Sequence, residues 1–101
     1  MGSFVRERDI EQYLVKRVKA MGGEVRKVQW IGRRGAPDRL VMLPTRCGEV
    51  FNYLAKTIWV ELKAPGKVAE PHQLREHVRM QGMGQRVEVI DSLAGVEGLL
   101  S

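Results

Sequence analysis

The segment Thr57–Lys63 constrains the fold of this chain more than any other, because its apolar and polar residues alternate. A period of two is typical of a strand whose side chains point in turn to opposite faces. One face is wholly aliphatic and carries Ile58, Val60 and Leu62. The other face ends in Glu61 and Lys63, which lie about 6.6 Å apart along a strand. An acid and an amine on one face of an apolar strand break the local pattern, and such breaks are often functional.

Apolar periodicity and turn signals divide the rest of the chain into helices and strands. The predicted elements are, in order, a helix over about residues 6–21, strands over 24–31, 39–43 and 57–63, a helix over 70–83, a strand over 87–90 and a short helix over 92–100. This order, α-β-β-β-α-β-α, is predicted for a single domain that covers residues 1–101. Residues 45–56 are ambiguous between a hairpin extension, a short helix and an ordered loop.

Charge is distributed unevenly along the chain. Lysine and arginine number 17 against 12 acidic residues, giving a net charge of +5, and residues 1–50 carry the whole excess. Between Arg26 and Arg39, five basic residues stand against one acid, Asp38. A local basic field of this kind favours a polyanionic partner, nucleic acid first, but a solvated basic surface explains the charge equally well.

Composition also bounds the compartment in which the chain is expected to work. The single cysteine, Cys47, excludes an intramolecular disulfide and makes a reducing compartment the default. No apolar run approaches the roughly 20 residues of a membrane span, and residues 1–9 carry no apolar segment typical of a secretory signal. We therefore expect a cytoplasmic protein with no membrane partner, and a phage origin stays open.

Glu11 breaks the pattern of the first predicted helix. At 100° per residue the apolar residues of this helix share one arc: Ile10, Leu14, Val15, Val18 and Met21. Glu11 falls inside that arc, where an unpaired carboxylate is costly. We expect Glu11 to have a partner, which is a metal, a cation or hydrogen-bond donors at a site. The alternatives are a structural ion pair with arginine or lysine and a side chain that reaches solvent.

Two further polar residues are expected near Glu61. Asp38 opens the strand after the glycine-rich turn 32–37, and hairpin-like pairing with the Glu61 strand would bring the two carboxylates together. They would repel each other unless a cation lay between them, and hard oxygen ligands of this kind suit Mg²⁺ or Mn²⁺. Gln73 borders the inward face of the second predicted helix, where its amide could bond Lys63, a water or a phosphate, or cap local backbone.

These residues occur in an order that resembles the PD-(D/E)XK nuclease superfamily and, within it, the VRR-Nuc (virus-type replication-repair nuclease) family. The resemblance rests on Glu11, the stretch Gly35–Asp38, the stretch Glu61–Lys63 and Gln73, and it covers about residues 7–94. It implies a restriction-endonuclease-like α/β fold with a mixed sheet flanked by helices. The segment between the two motif strands is longer and more apolar than expected for a compact member.

The resemblance also implies a role for each of the matching residues. Asp38, Glu61 and the backbone carbonyl of Leu62 would hold Mg²⁺ or Mn²⁺, and Glu11 would reach the metal directly or through water. Lys63 would orient or help deprotonate the attacking water. Gln73 would support Lys63 or the scissile phosphate.

The activity implied is that of a metal-dependent DNA endonuclease, specific for branched structures such as four-way junctions or flaps. The alternative is a non-catalytic nucleic-acid-binding module on the same fold. The DNA backbone is expected to contact basic residues around the site: Arg33, Arg34, Arg39, Lys67 and Arg75. A homodimer with two equal sites is expected as well, because a four-way junction must be cut on two strands. The apolar residues 49–56 are expected to contribute to its interface.

Overall fold

The predicted order of helices and strands is confirmed by a computed structural model, which describes residues 4–44, 46–47, 50–51 and 57–101. The elements are α1 (Glu7–Ala20), β1 (Glu24–Lys27), β2 (Arg39–Met42), β3 (Arg46–Cys47), β4 (Val50–Phe51), β5 (Thr57–Leu62), α2 (Pro71–Gly82), β6 (Val87–Ile90) and α3 (Leu93–Leu100). β3 and β4 pair antiparallel as a small hairpin, one of the alternatives for this segment. The rest of segment 45–56 lies outside the described residues.

The main sheet is mixed, as expected, and its strand order is β1-β2-β5-β6. β1, β2 and β5 pair antiparallel, whereas β5 and β6 run parallel. The connection from β5 to β6 contains α2, because parallel neighbours need a long crossover. β5 is therefore a central strand with a partner on each side, in agreement with its largely buried residues.

The hydrophobic core lies between the aliphatic face of β5 and the helices α1 and α3. Ile10, Leu14 and Val18 of α1 are fully buried and belong to one cluster with Ile58 and Val60. Full burial of such a side chain contributes about 1.5–3 kcal/mol. α2 covers the opposite face of the sheet, where the second face of β5 meets it. None of the helices in the described ranges is long and apolar enough to cross a membrane.

β1 ends four residues earlier than the alternating pattern predicts. One more ladder bond follows it, from the Val28 amide to the Asp38 carbonyl at 2.9 Å. Pro37, the next residue, lies outside β2. Its carbonyl instead accepts a 2.8 Å hydrogen bond from the indole nitrogen of Trp30. The chain therefore leaves the sheet here and forms the loop that leads back to Asp38.

Candidate active site

The pairing of β2 with β5 brings Asp38 and Glu61 together at one end of the two strands. Arg39 lies opposite Val60 in the antiparallel register, so the next residues along, Asp38 and Glu61, face each other. Directly opposite residues have Cβ atoms about 5 Å apart and share one face of the sheet. The Asp38 side chain is 54% exposed, whereas that of Glu61 is 12% exposed. One carboxylate is thus open to solvent and the other is largely buried.

Glu61 is the carboxyl group of the described residues whose pKa is raised. Burial, together with the nearby charges of Asp38 and Glu7, raises its pKa to about 7, while Lys63 and Arg39 oppose that rise. Without a cation, Glu61 is therefore about half protonated near neutral pH, whereas an ordinary glutamate would be fully ionised. A cation placed against this carboxylate would favour its ionised form.

Arg39 links the acids of β2 and α1. Its guanidinium forms an ion pair with Glu11 and a second one with Asp38, at 2.8 Å from Oδ1. The partner expected for Glu11 is therefore an arginine, as in the structural alternative. The Arg39 side chain is only 11% exposed. This position differs from the open phosphate contact expected of Arg39, because the guanidinium lies buried between two carboxylates.

Lys63 is held by the first turn of α2. Its ammonium nitrogen donates a 2.8 Å hydrogen bond to Oε1 of Gln73. The same oxygen accepts a 2.8 Å bond from the backbone amide of Glu70, at the N-cap of the helix. Both interpretations of Gln73 from the sequence therefore hold, since it bonds Lys63 and caps the helix together.

The loop before Asp38 packs tightly on the start of α2. Gly35 has a φ of +86°, and a Cβ there would lie 2.8 Å from the carbonyl oxygen of His72. From the same loop, Arg33 donates hydrogen bonds of 2.9 and 2.8 Å to Glu76. Arg79 adds two more, of 3.0 and 2.7 Å. Glu76 is only 2% exposed, and these two arginines lower its pKa to about 2.

The sequence and the fold of this chain match known proteins. A solved structure described as a VRR_NUC domain has a TM-score of 0.75 and is 39% identical, with 93% of this chain and 92% of that chain covered. A protein of Acyrthosiphon pisum secondary endosymbiont phage 1, named "Putative nuclease p44", is 47% identical over 88 residues, or 87% of this chain and 85% of that protein. No protein-family model matches. The chain belongs to the VRR-Nuc family.

The donor set of this VRR-Nuc chain fits a hard divalent cation. Within the described part of the chain, no group of three or more His, Cys, Asp or Glu side chains could hold a metal. Mg²⁺ needs fewer, because it is usually bound through one or two carboxylates and takes its other ligands from water and phosphate. Asp38 and Glu61 provide that pair.

Apart from the buried Arg39, the basic residues expected to contact DNA fall into two groups. Arg34, Lys67 and Arg75 are exposed. Arg33 is half-exposed, at 46%, and is paired with Glu76. The exposed cations are free to meet a phosphate backbone, whereas Arg33 would meet it while still bonded to a carboxylate.

Glu7 is the acid that sequence reasoning missed. It lies in the first turn of α1, and its charge adds to burial and to Asp38 in raising the pKa of Glu61. A signal for it exists in the sequence, because at 100° per residue Glu7 falls about 60° from Ile10, within the apolar arc. Glu11 has an arginine partner, whereas Glu7 has none among the described residues.

Proposed function

We propose that this VRR-Nuc protein is a metal-dependent DNA endonuclease that hydrolyses phosphodiester bonds. The observation that carries the proposal is the opposed pair of Asp38 and Glu61, one of them buried with a pKa raised to about 7. A fold that holds two carboxylates together without full compensation is expected to bind a cation there. Mg²⁺ or Mn²⁺ is the proposed cofactor, with the Leu62 carbonyl as a further ligand.

Lys63 is proposed to act on the attacking water next to this pair. Its ammonium is fixed by the 2.8 Å bond to Gln73, so one positive group stays aimed at the site. A divalent ion bound there would supply Lewis-acid polarisation of the phosphate and a more acidic water. Lys63 would orient that water and stabilise the negative charge that develops on the phosphate.

The proposed substrate is DNA with a branched structure, such as a four-way junction or a flap. The net charge of +5 supports a polyanionic substrate. The exposed side chains of Arg34, Lys67 and Arg75 would take the phosphates on either side of the cleaved bond. Preference for branched DNA is supported by the family resemblance alone. An intracellular location and a phage origin, like that of the relative, complete the proposal.

The decisive experiment is cleavage of labelled DNA of three shapes: a four-way junction, a flap and a linear duplex. Each is incubated with Mg²⁺, Mn²⁺ or EDTA. We expect cleavage with either metal, none with EDTA, and faster cleavage of the branched substrates. Equal rates on all three shapes would contradict the preference for branched DNA. Binding without cleavage under every metal condition would favour the alternative, a non-catalytic nucleic-acid-binding module.

A homodimer is part of the proposal, because two equal sites suit a junction with near-twofold symmetry. The contact proposed from the sequence involves residues 49–56, most of which lie outside the described residues. Light scattering at micromolar concentration tests the assembly, and the mass of a single chain would contradict it. A dimer that survives Phe51→Glu with Leu54→Glu would place the interface elsewhere.

A further inference from the structure

His77 is a buried polar residue to which no role has been assigned. It lies on α2 and is only 4% exposed. Its Nε2 atom is out of contact with solvent and has no hydrogen-bond partner among the described residues. Buried polar atoms are nearly always paired, so an orphaned one points to a partner that arrives with a ligand or a small movement.

The atom that Nε2 faces is a carboxylate oxygen of Glu61, 3.8 Å away. That distance is too long for a hydrogen bond. Within the described residues Glu61 also receives no hydrogen bond, although its side chain is 12% exposed. A buried nitrogen and a largely buried carboxylate oxygen therefore face each other, about 1 Å farther apart than a hydrogen bond requires.

The His77 ring can donate a hydrogen bond from Nε2 in either protonation state. Burial lowers the pKa of His77, Glu76 opposes this, and Lys63 adds to it. A neutral imidazole carries one N–H, and the hydrogen can reside on either ring nitrogen. With the hydrogen on Nε2, the ring is a donor aimed at the Glu61 carboxylate.

We propose that His77 is a positioning residue for Glu61, donating its Nε2–H to the carboxylate when Glu61 is ionised and holds the metal. The inference rests on the proposed function, since it assumes that Glu61 is a ligand. Asp38 already has such a holder, because Arg39 lies 2.8 Å from its Oδ1. His77 would serve Glu61 in the same way, from the opposite side of the site.

Groups that hold a ligand without touching the metal set its orientation and its basicity. Loss of such a group typically weakens metal binding 10- to 100-fold. A residue that only fills space in the core would not act in this way, because its contribution depends on shape and not on a donor at one position. The two roles therefore separate when shape and donor position are varied independently.

The test is a Mn²⁺ titration by calorimetry, without DNA, on the full chain and on two amide variants. In His77→Gln the side-chain amide nitrogen falls near the position of Nε2, whereas in His77→Asn it falls near Nδ1 and cannot reach Glu61. We expect His77→Asn to bind Mn²⁺ about 10-fold more weakly. His77→Gln should bind nearly as tightly as the original chain.

The outcomes separate this inference from the proposed function. Equal Mn²⁺ affinity in the original chain and His77→Asn, with binding abolished in Glu61→Gln, would overturn the role of His77 alone. Absence of Mn²⁺ binding to the original chain would overturn both. If His77→Asn does not fold, ¹H–¹⁵N spectra of the original chain decide. We expect the hydrogen on Nε2 and a shift of that nitrogen when Mg²⁺ is added, whereas a hydrogen on Nδ1 in both states would overturn the inference.

Discussion

Glu61 and Glu76 are both nearly buried, with 9% and 2% exposure, yet their pKa values move in opposite directions. Glu76 accepts four hydrogen bonds from Arg33 and Arg79, and its pKa falls to about 2. Burial and two neighbouring acids raise the pKa of Glu61 to about 7, against the opposing charges of Lys63 and Arg39. The two pKa values differ because of the charged partners of each carboxylate, and not because of how deeply each is buried.

The comparison separates a structural acid from a site acid. The fold supplies Glu76 with its own counter-charges, so this carboxylate ties the loop of Arg33 to α2 and needs no ligand. Glu61 is left short of donors and of positive charge, and it faces a second carboxylate. Two carboxylates held together in this way lower the stability of the fold. Proteins tolerate such a cost at sites where a ligand binds.

Removing the charge of the site acids should have the largest effect on activity. Asp38→Asn and Glu61→Gln keep the shape but lose a charged ligand, so we expect cleavage to fall by more than about 100-fold. DNA binding without metal should survive or tighten slightly, because each substitution removes a negative charge from a basic protein. Cleavage rates and binding by fluorescence anisotropy measure both. Glu24→Gln, an exposed acid away from the site, is the matched control, and a normal rate in either site variant would refute the assignment.

Lys63 and Gln73 should affect turnover more than metal binding. Lys63→Ala removes the ammonium beside the carboxylates, and we expect most turnover to be lost while Mn²⁺ still binds. Gln73→Ala should reduce turnover less, because the lysine remains but loses its 2.8 Å anchor. Single-turnover cleavage and Mn²⁺ calorimetry separate the two effects. A folded Lys63→Ala protein that no longer binds Mn²⁺ would argue against a water-orienting role.

The two glutamates should give opposite pH dependences of stability in EDTA. The lowered pKa of Glu76 means that its contribution is fully present above its ordinary pKa of 4.5 and is lost as pH falls toward about 2. The raised pKa of Glu61 means that the metal-free protein loses stability as pH rises from 4.5 toward about 7. Melting temperatures of Glu76→Gln and Glu61→Gln across this range should each lack one of these slopes. Parallel curves for both variants would contradict the comparison.

The smallest effect is expected from Arg33 and Arg34, in the loop before Asp38. Arg34→Ala should weaken binding to all DNA shapes alike and lower the salt slope by about one unit for each phosphate that the protein no longer neutralises. Arg33→Ala should do the same and also leave Glu76 with Arg79 alone. Anisotropy titrations at several salt concentrations measure the slope. An unchanged slope in the double variant Arg33→Ala with Arg34→Ala would indicate that the DNA-binding surface lies on α2, around Arg75 and Arg79.

Much of the fold could be predicted from local patterns in the sequence. The alternation of Thr57–Lys63 and the apolar arc of α1 reflect burial on one face, which any short window records. The meeting of Asp38 and Glu61 could also be predicted, because antiparallel register fixes which residues face each other. The early end of β1 could not be predicted in this way, because the alternation of residues 24–31 continues past the point at which the strand loses its partner.

The long-range ion pairs could not be predicted, for a physical reason. The pairing of Arg39 with Glu11, and of Arg33 with Glu76, joins elements whose distance in space is set only by the finished fold. Charge counts show that cations are present, but not which acid each one meets. The unpartnered His77 nitrogen could not be predicted for the same reason, since the position of a histidine on a helix does not show which group its ring faces.

The side-chain oxygen of Gln73 accepts two hydrogen bonds, and this has a consequence for heat stability. This one oxygen atom accepts from the ammonium of Lys63 and from the backbone amide of Glu70, so the position of the lysine depends on the first turn of α2. Helix ends fray before helix centres when a protein is warmed. Fraying of this turn would release the lysine while the core is still intact. On warming, cleavage would then be lost before the whole chain unfolds.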